Sequence, residues 1–111
     1  MGGHNTPATA TADLACDASI TRVLVALFNL LQTKEYAGQE RAWGAMGLAS
    51  GQLTTELAER LLLLQQAQQH SAAVFLEFAT TEQQLQWHLL DQATAAKQLR
   101  QLRTMIQQLA G

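Results

Sequence analysis

The only proline in this chain is Pro7, so Ala8 to Gly111 lacks the residue that most reliably interrupts a helix. Ala, Leu and Gln dominate that stretch, and all three are good helix formers. Apolar positions recur at alternating intervals of four and three, the period of a helix that buries one stripe. No strand-like alternation, internal repeat or low-complexity linker interrupts the pattern. The expectation is an all-α fold, an antiparallel bundle of three long helices.

The boundaries follow from local chemistry. Met1 to Ala12 reads as a flexible leader of small and polar residues. A first helix over 13–50 starts at Asp13 or Asp17, either of which can cap amide groups. Its stripe reads Ile20, Leu24, Leu27, Leu31, Lys34, Gly38, Arg41, Ala45 and Leu48. Ser50-Gly51 marks the break, with Ser50 as a candidate cap for a second helix over 52–79. That helix carries Leu53, Leu57, Leu61, Leu64, Gln68, Ser71, Phe75 and Phe78. Thr80-Thr81 with Glu82 opens a third helix over 81–110, with Leu85, Leu89, Gln92, Ala96, Leu99, Leu102, Ile106 and Leu109. Short connections make such helices antiparallel neighbours. Phe28, Leu30, Leu62, Leu63 and Leu90 fall off these stripes. That is more apolar surface than one three-helix core needs, so completion to a four-helix or larger bundle by dimerisation is expected.

Composition excludes several classes. The chain has 111 residues, 48% of them hydrophobic and 14% charged, which fits one domain with a modest core and not a disordered chain. A formal charge of -2 gives no bulk attraction to nucleic acid or anionic lipid. No stretch reaches the roughly 18–20 apolar residues of a membrane span, and a cytoplasmic location is expected. Cys16 stands alone, with neither a disulfide partner nor a base beside it. His88 and Asp91 share a helical face but lack further ligands, His70 sits among glutamines, and neither marks a metal site. Lys97, Arg100 and Arg103 read as charges that complement a helix C-terminus. Glu56 and Arg60 read as a surface pair four residues apart. Without a nucleophile–base set, a phosphate loop, paired carboxylates or a cofactor signature, the chain does not read as an enzyme.

The unusual element is Lys34-Glu35-Tyr36-Ala37-Gly38-Gln39-Glu40-Arg41-Ala42. It sets two cations, Lys34 and Arg41, seven residues apart on the expected apolar stripe, amid small residues. Neither has an acid three or four residues away on its own helix. Folding the second helix back across Gly51 brings Leu61 and Gln68 opposite, with no carboxylate. A buried unpaired cation costs several kcal/mol. Either these cations snorkel to solvent or meet acids on a partner chain, or an anion neutralises them. The planar guanidinium fork of Arg41 suits nitrate, nitrite or a carboxylate.

The segment from Leu31 to Gly51 resembles the nitrate- and nitrite-sensing (NIT) domain, through Lys34, Glu35, Ala37, Gly38, Gln39, Glu40, Arg41, Ala42 and the small residues that follow. The resemblance implies a bacterial, all-helical sensor joined or coupled to an antiterminator, a kinase or a chemoreceptor. It also implies that arginines clamp the anion, Arg41 among them, with Lys34, Glu35, Gly38 and Gln39 in support. Such domains are built from two helical bundles. The expectation is therefore one half of such a sensor, or a small relative completed by self-association, with Arg41 of two subunits meeting across a symmetric interface.

Overall fold

The computed structural model describes residues 7–110, and side-chain surroundings from Asp17 onward except at Thr94. Residues 1–6, with His4, lie outside the described residues, as do the side chains of Asp13 and Cys16.

Among the described residues four helices account for the fold: α1 (Pro7–Ser50), α2 (Thr55–Phe78), α3 (Thr81–Asp91) and α4 (Thr94–Ala110). The chain is all-α. Helix α1 takes in residues 7–12 of the stretch expected as a leader. Pro7 is its first residue, where a missing N–H costs nothing. At about 1.5 Å per residue its 44 residues set the molecule's long dimension of 70 Å. It ends where Gly51 adopts φ +72° and its N–H reaches the carbonyls of Gly47 and Leu48, both at 3.1 Å.

Helix α2 is capped by Thr54 rather than Ser50. The Thr54 hydroxyl accepts from the Leu57 N–H at 3.1 Å, while Ser50 turns back to donate to the Gly47 carbonyl at 2.9 Å. Thr80 caps α3 in a reciprocal box with Gln83: the Gln83 N–H donates to the Thr80 hydroxyl at 3.1 Å, and the Thr80 N–H donates to the Gln83 amide oxygen at 3.0 Å.

Two contacts, one near the middle of α2 and one at its C-terminal end, make α1 and α2 an antiparallel hairpin. The Gln65 amide meets Glu40 at 3.0 Å, and Arg22 donates to the Glu77 carbonyl at 3.3 Å. The expected single third helix is two helices, broken at Gln92–Ala93. They run back along α1 in succession, with Gln83 beside Val23 and Leu102 beside Gly44.

The core differs from expectation along α1. Ala26, Leu30, Thr33, Glu40, Gly44 and Gly47 are buried, and Ala37 is half-buried. Ile20, Leu24, Leu27, Leu31 and Lys34 are exposed instead. The buried stripe lies one residue before the expected one from position 30 onward. Along α2 the buried residues are Leu61, Leu64, Gln68, Ser71 and Phe75, all on the expected stripe. In α3, Trp87 and Leu90 turn inward while Leu85 and Leu89 face solvent. Phe75 is fully buried, with its ring 5.3 Å from that of Trp87, and packs with Ala26, Leu30, Phe78, Ala79 and Leu90.

Candidate functional site: a cationic groove beside a buried ion pair

The site begins with Glu40. It falls on the buried stripe and is only 2% exposed. A bare carboxylate there would cost several kcal/mol, so its oxygens must be satisfied locally. Oε1 accepts from the Gln68 amide at 2.7 Å and from Arg103 Nη2 at 2.6 Å. Oε2 accepts from the Gln65 amide at 3.0 Å and from Arg103 Nε at 2.7 Å. Three helices thus converge on one carboxylate, and Arg103 engages it with a two-pronged fork. Burial alone would push the Glu40 carboxyl up. The hydrogen bonds from Arg103 and Gln68, the Arg103 charge and the Gln65 amide outweigh burial and hold it below the ordinary carboxylate range. The Glu40 hydrogen bond correspondingly raises the Arg103 guanidinium against the opposing effect of burial.

Arg41 is one residue further on and, at about 100° per residue, points to a different side of α1. It lines a groove of about 360 Å³ between α1, α2 and the α3–α4 arm. Its guanidinium folds back over Gly38, with Nη2 3.7 Å from where a Cβ on that glycine would stand. That is ordinary contact distance, so Gly38 is not sterically required. Among the described residues Arg41 has neither an ion pair nor a hydrogen bond. It is half-buried beside the seam, not within it, and Lys34 on the same wall is exposed.

The opposite wall brings Arg100 and Arg103 from α4. Gln65, Gln68 and Gln69 of α2 supply amides, and Leu30, Trp87, Leu90 and Leu99 make an apolar end. The acid on the lining is Asp91, which meets Arg100 at 3.4 Å with both side chains more than half exposed. Arg100 also donates to the Asp91 carbonyl at 3.3 Å, so it caps the C-terminus of α3 and not that of its own helix. Four cations therefore face one groove. The arrangement suits a small anion.

The expected site residues do not all gather. Arg41, Lys34 and Gly38 lie together. Glu35 and Gln39 lie on another flank of α1, where the Gln39 amide donates to Glu35 Oε1 at 3.0 Å, and neither lines the groove. Sequence reasoning missed Glu40, Arg100 and Arg103 as site residues. Arg103 sits on the α4 face of Leu99, Leu102 and Ile106, and that spacing was the available signal. Arg60 does not pair with Glu56. Its guanidinium lies over the Trp43 ring, 4.3 Å from the centroid. No group of acids, histidines and cysteines able to hold a metal occurs among the described residues. No helix among the described residues is long and apolar enough to cross a membrane.

The chain is 50% identical over 46 residues to the nitrate regulatory protein of Klebsiella oxytoca, a match that covers 41% of this chain and 12% of that protein. It thus spans a small part of that relative's length. No solved structure matches the chain. The family described as nitrate and nitrite sensing matches residues 6–111, far beyond the Leu31–Gly51 segment, and the chain belongs to that family.

Proposed function

We propose that this chain is the sensor module of a signalling protein and that the α1–α4 groove receives nitrate or nitrite through Arg41. The observation that carries the reading is a contrast between neighbours. Glu40 has every oxygen occupied, whereas Arg41 faces the groove with its fork unmatched. A planar oxyanion satisfies two guanidinium N–H groups at once, and Lys34 adds charge on the same wall. Gly38 lies beneath the folded-back arginine, while Glu35 and Gln39 support this turn of α1 from outside the groove.

Anion binding offsets the excess positive charge and shifts helix packing. In this reading the shift passes to a fused or separate effector such as an antiterminator, a kinase or a chemoreceptor. The module works in the cytoplasm of a bacterium, as a homodimer, through sensing and not catalysis. It touches neither nucleic acid nor membrane directly.

The test is a melting scan in sodium nitrate against chloride and sulfate of matched ionic strength. Nitrate at a hundred times its dissociation constant adds about 2.7 kcal/mol. In a domain of this size that raises Tm by roughly 4–8 °C per kcal/mol at the melting point. Arg41→Ala abolishes the nitrate-specific shift, and Arg41→Lys does not restore it, because an ammonium lacks the fork. No nitrate-specific shift, or an undiminished one in Arg41→Ala, overturns the reading. The second outcome moves the nitrate site away from Arg41, and the first leaves a ligand-free helical interaction module whose cations meet acids on a partner. The exposed apolar stripe of α1 is the observation that favours this second reading.

A further inference from the structure

Arg103 does two things at once. Its Nε and Nη2 are committed to Glu40, and Nη2 also donates to the Gln68 amide oxygen at 3.2 Å. Its Nη1 has no hydrogen bond among the described residues, and the side chain lines the same groove as Arg41. Glu40 therefore fixes the plane of a guanidinium that keeps only Nη1 free.

The helix that carries Arg103 is lightly held. Leu99 is the buried apolar residue of α4, and Leu102 and Ile106 are half-buried against Gly44 and Gly47 of α1. The connection to α3 is only Gln92–Ala93. Docking α4 brings Arg100 and Arg103 to a groove already lined by Lys34 and Arg41 of α1. Glu40 engages Arg103 and Asp91 engages Arg100, so the two α1 cations have no acid of their own there. Like charges on facing walls oppose docking, and an anion between them removes that opposition.

We propose that α4 is the anion-responsive element of the domain. Arg103, oriented by Glu40, offers its Nη1 to the groove that Arg41 also lines, so that a small oxyanion bridges α1 and α4 and tightens their docking. The inference rests on the reading of the groove as an anion site. Linkage makes it reciprocal: whatever docks α4 raises anion affinity, and the anion docks α4. Glu40 is a positioning residue here, because it acts on the ligand through Arg103.

Hydrogen–deuterium exchange of the full chain in sodium nitrate, against chloride of equal ionic strength, tests this. Nitrate slows exchange of the α4 amides by about fivefold or more, the size of a modest coupling. Arg103→Lys keeps the charge but loses the fork, and it weakens nitrate binding about tenfold while abolishing the α4 effect. Glu40→Gln keeps the shape of the side chain. It speeds α4 exchange in chloride, and nitrate slows it again. A nitrate-dependent rise in Tm with protection near Arg41 but unchanged α4 exchange overturns this inference and leaves the groove reading intact. So does wild-type nitrate affinity in Arg103→Lys. No nitrate effect by either measure overturns both.

Discussion

Glu40 and Arg41 are sequence neighbours with opposite fates, because one step along a helix turns a side chain by about 100°. Glu40 turns into the seam and is neutralised by α4, whereas Arg41 turns to the groove wall. Stability should therefore respond to the first and barely to the second. Truncating one partner of a buried pair strands the other. Arg103 keeps some access to water, so Glu40→Ala should cost about 2–4 kcal/mol in urea unfolding. Arg41→Ala should stay within about 0.5 kcal/mol in nitrate-free buffer. A loss as large in Arg41→Ala would mean that Arg41, too, has a structural partner. The pH dependence has a definite sign. Because Glu40 is held below its ordinary value, its stabilising effect is present above the unfolded value near 4.5 and is lost as pH falls below it. Acid unfolding followed by circular dichroism should show a decline below about pH 4.5 that is shallower in Glu40→Gln. Equal slopes would deny the pair its role. None of this was legible from the cation pattern alone. The absence of an acid near Arg41 on its own helix is visible in sequence, but the arrival of Arg103 at Glu40 depends on the path of α4.

At the scale of elements, helix type was legible and the face of α1 was not. Two stripes on α1 share the four-three rhythm. One carries Ile20, Leu24, Leu27 and Leu31, and the other Ala26, Leu30, Thr33, Ala37, Glu40, Gly44 and Gly47. The bulky stripe is the natural choice by hydropathy, yet the small one faces α2 and α4. Small residues let helix axes approach closely, and no hydropathy scale records that. Along α2 no second stripe competes, and the buried set is the one its spacing indicates. The break at Gln92–Ala93 carries neither glycine nor proline. Arg100 takes up the Asp91 carbonyl there, a partner nine residues away that periodicity does not reveal. Close approach has a cost that can be measured. A Cβ on Gly44 would stand 2.8 Å from Leu102 Cδ2 and 3.2 Å from its Cγ. Gly44→Val should therefore push α4 outward at a cost of about 1–3 kcal/mol. Hydrogen exchange should then rise across α4 while α2 stays protected. Uniform loss of protection would instead show that α4 and the hairpin unfold as one unit.

The whole molecule is long and thin, 70 × 27 × 18 Å, with a radius of gyration of 20.1 Å. A compact chain of this length would have about 13 Å. So thin a body cannot hide both faces of α1. Taking 3.6 residues per turn, the exposed apolar stripe lies roughly 140° around α1 from the buried one. It comprises Ile20, Val23, Leu24, Leu27, Phe28 and Leu31, which are 38% to 59% exposed. Large contiguous apolar patches on soluble proteins mark contact surfaces. The four-three spacing of Ile20, Leu24, Leu27 and Leu31 suits a helix–helix seam. If the proposed homodimer uses this face, each subunit covers the other's stripe, and the two grooves, whose Lys34 and Arg41 continue that stripe along α1, lie beside the interface. Sedimentation equilibrium should then give a dimer whose melting temperature rises with protein concentration. Leu27→Glu with Leu31→Glu should give a monomer, because facing stripes would bury like charges against each other. Both side chains are already exposed in the single chain, so its own fold should tolerate the change. The nitrate-dependent shift in Tm should survive in that variant, since neither position lines the groove. A monomer that has lost its nitrate response would instead place the anion site across the subunit interface, where Arg41 of two copies could meet. An unchanged dimer would assign the interface to another face.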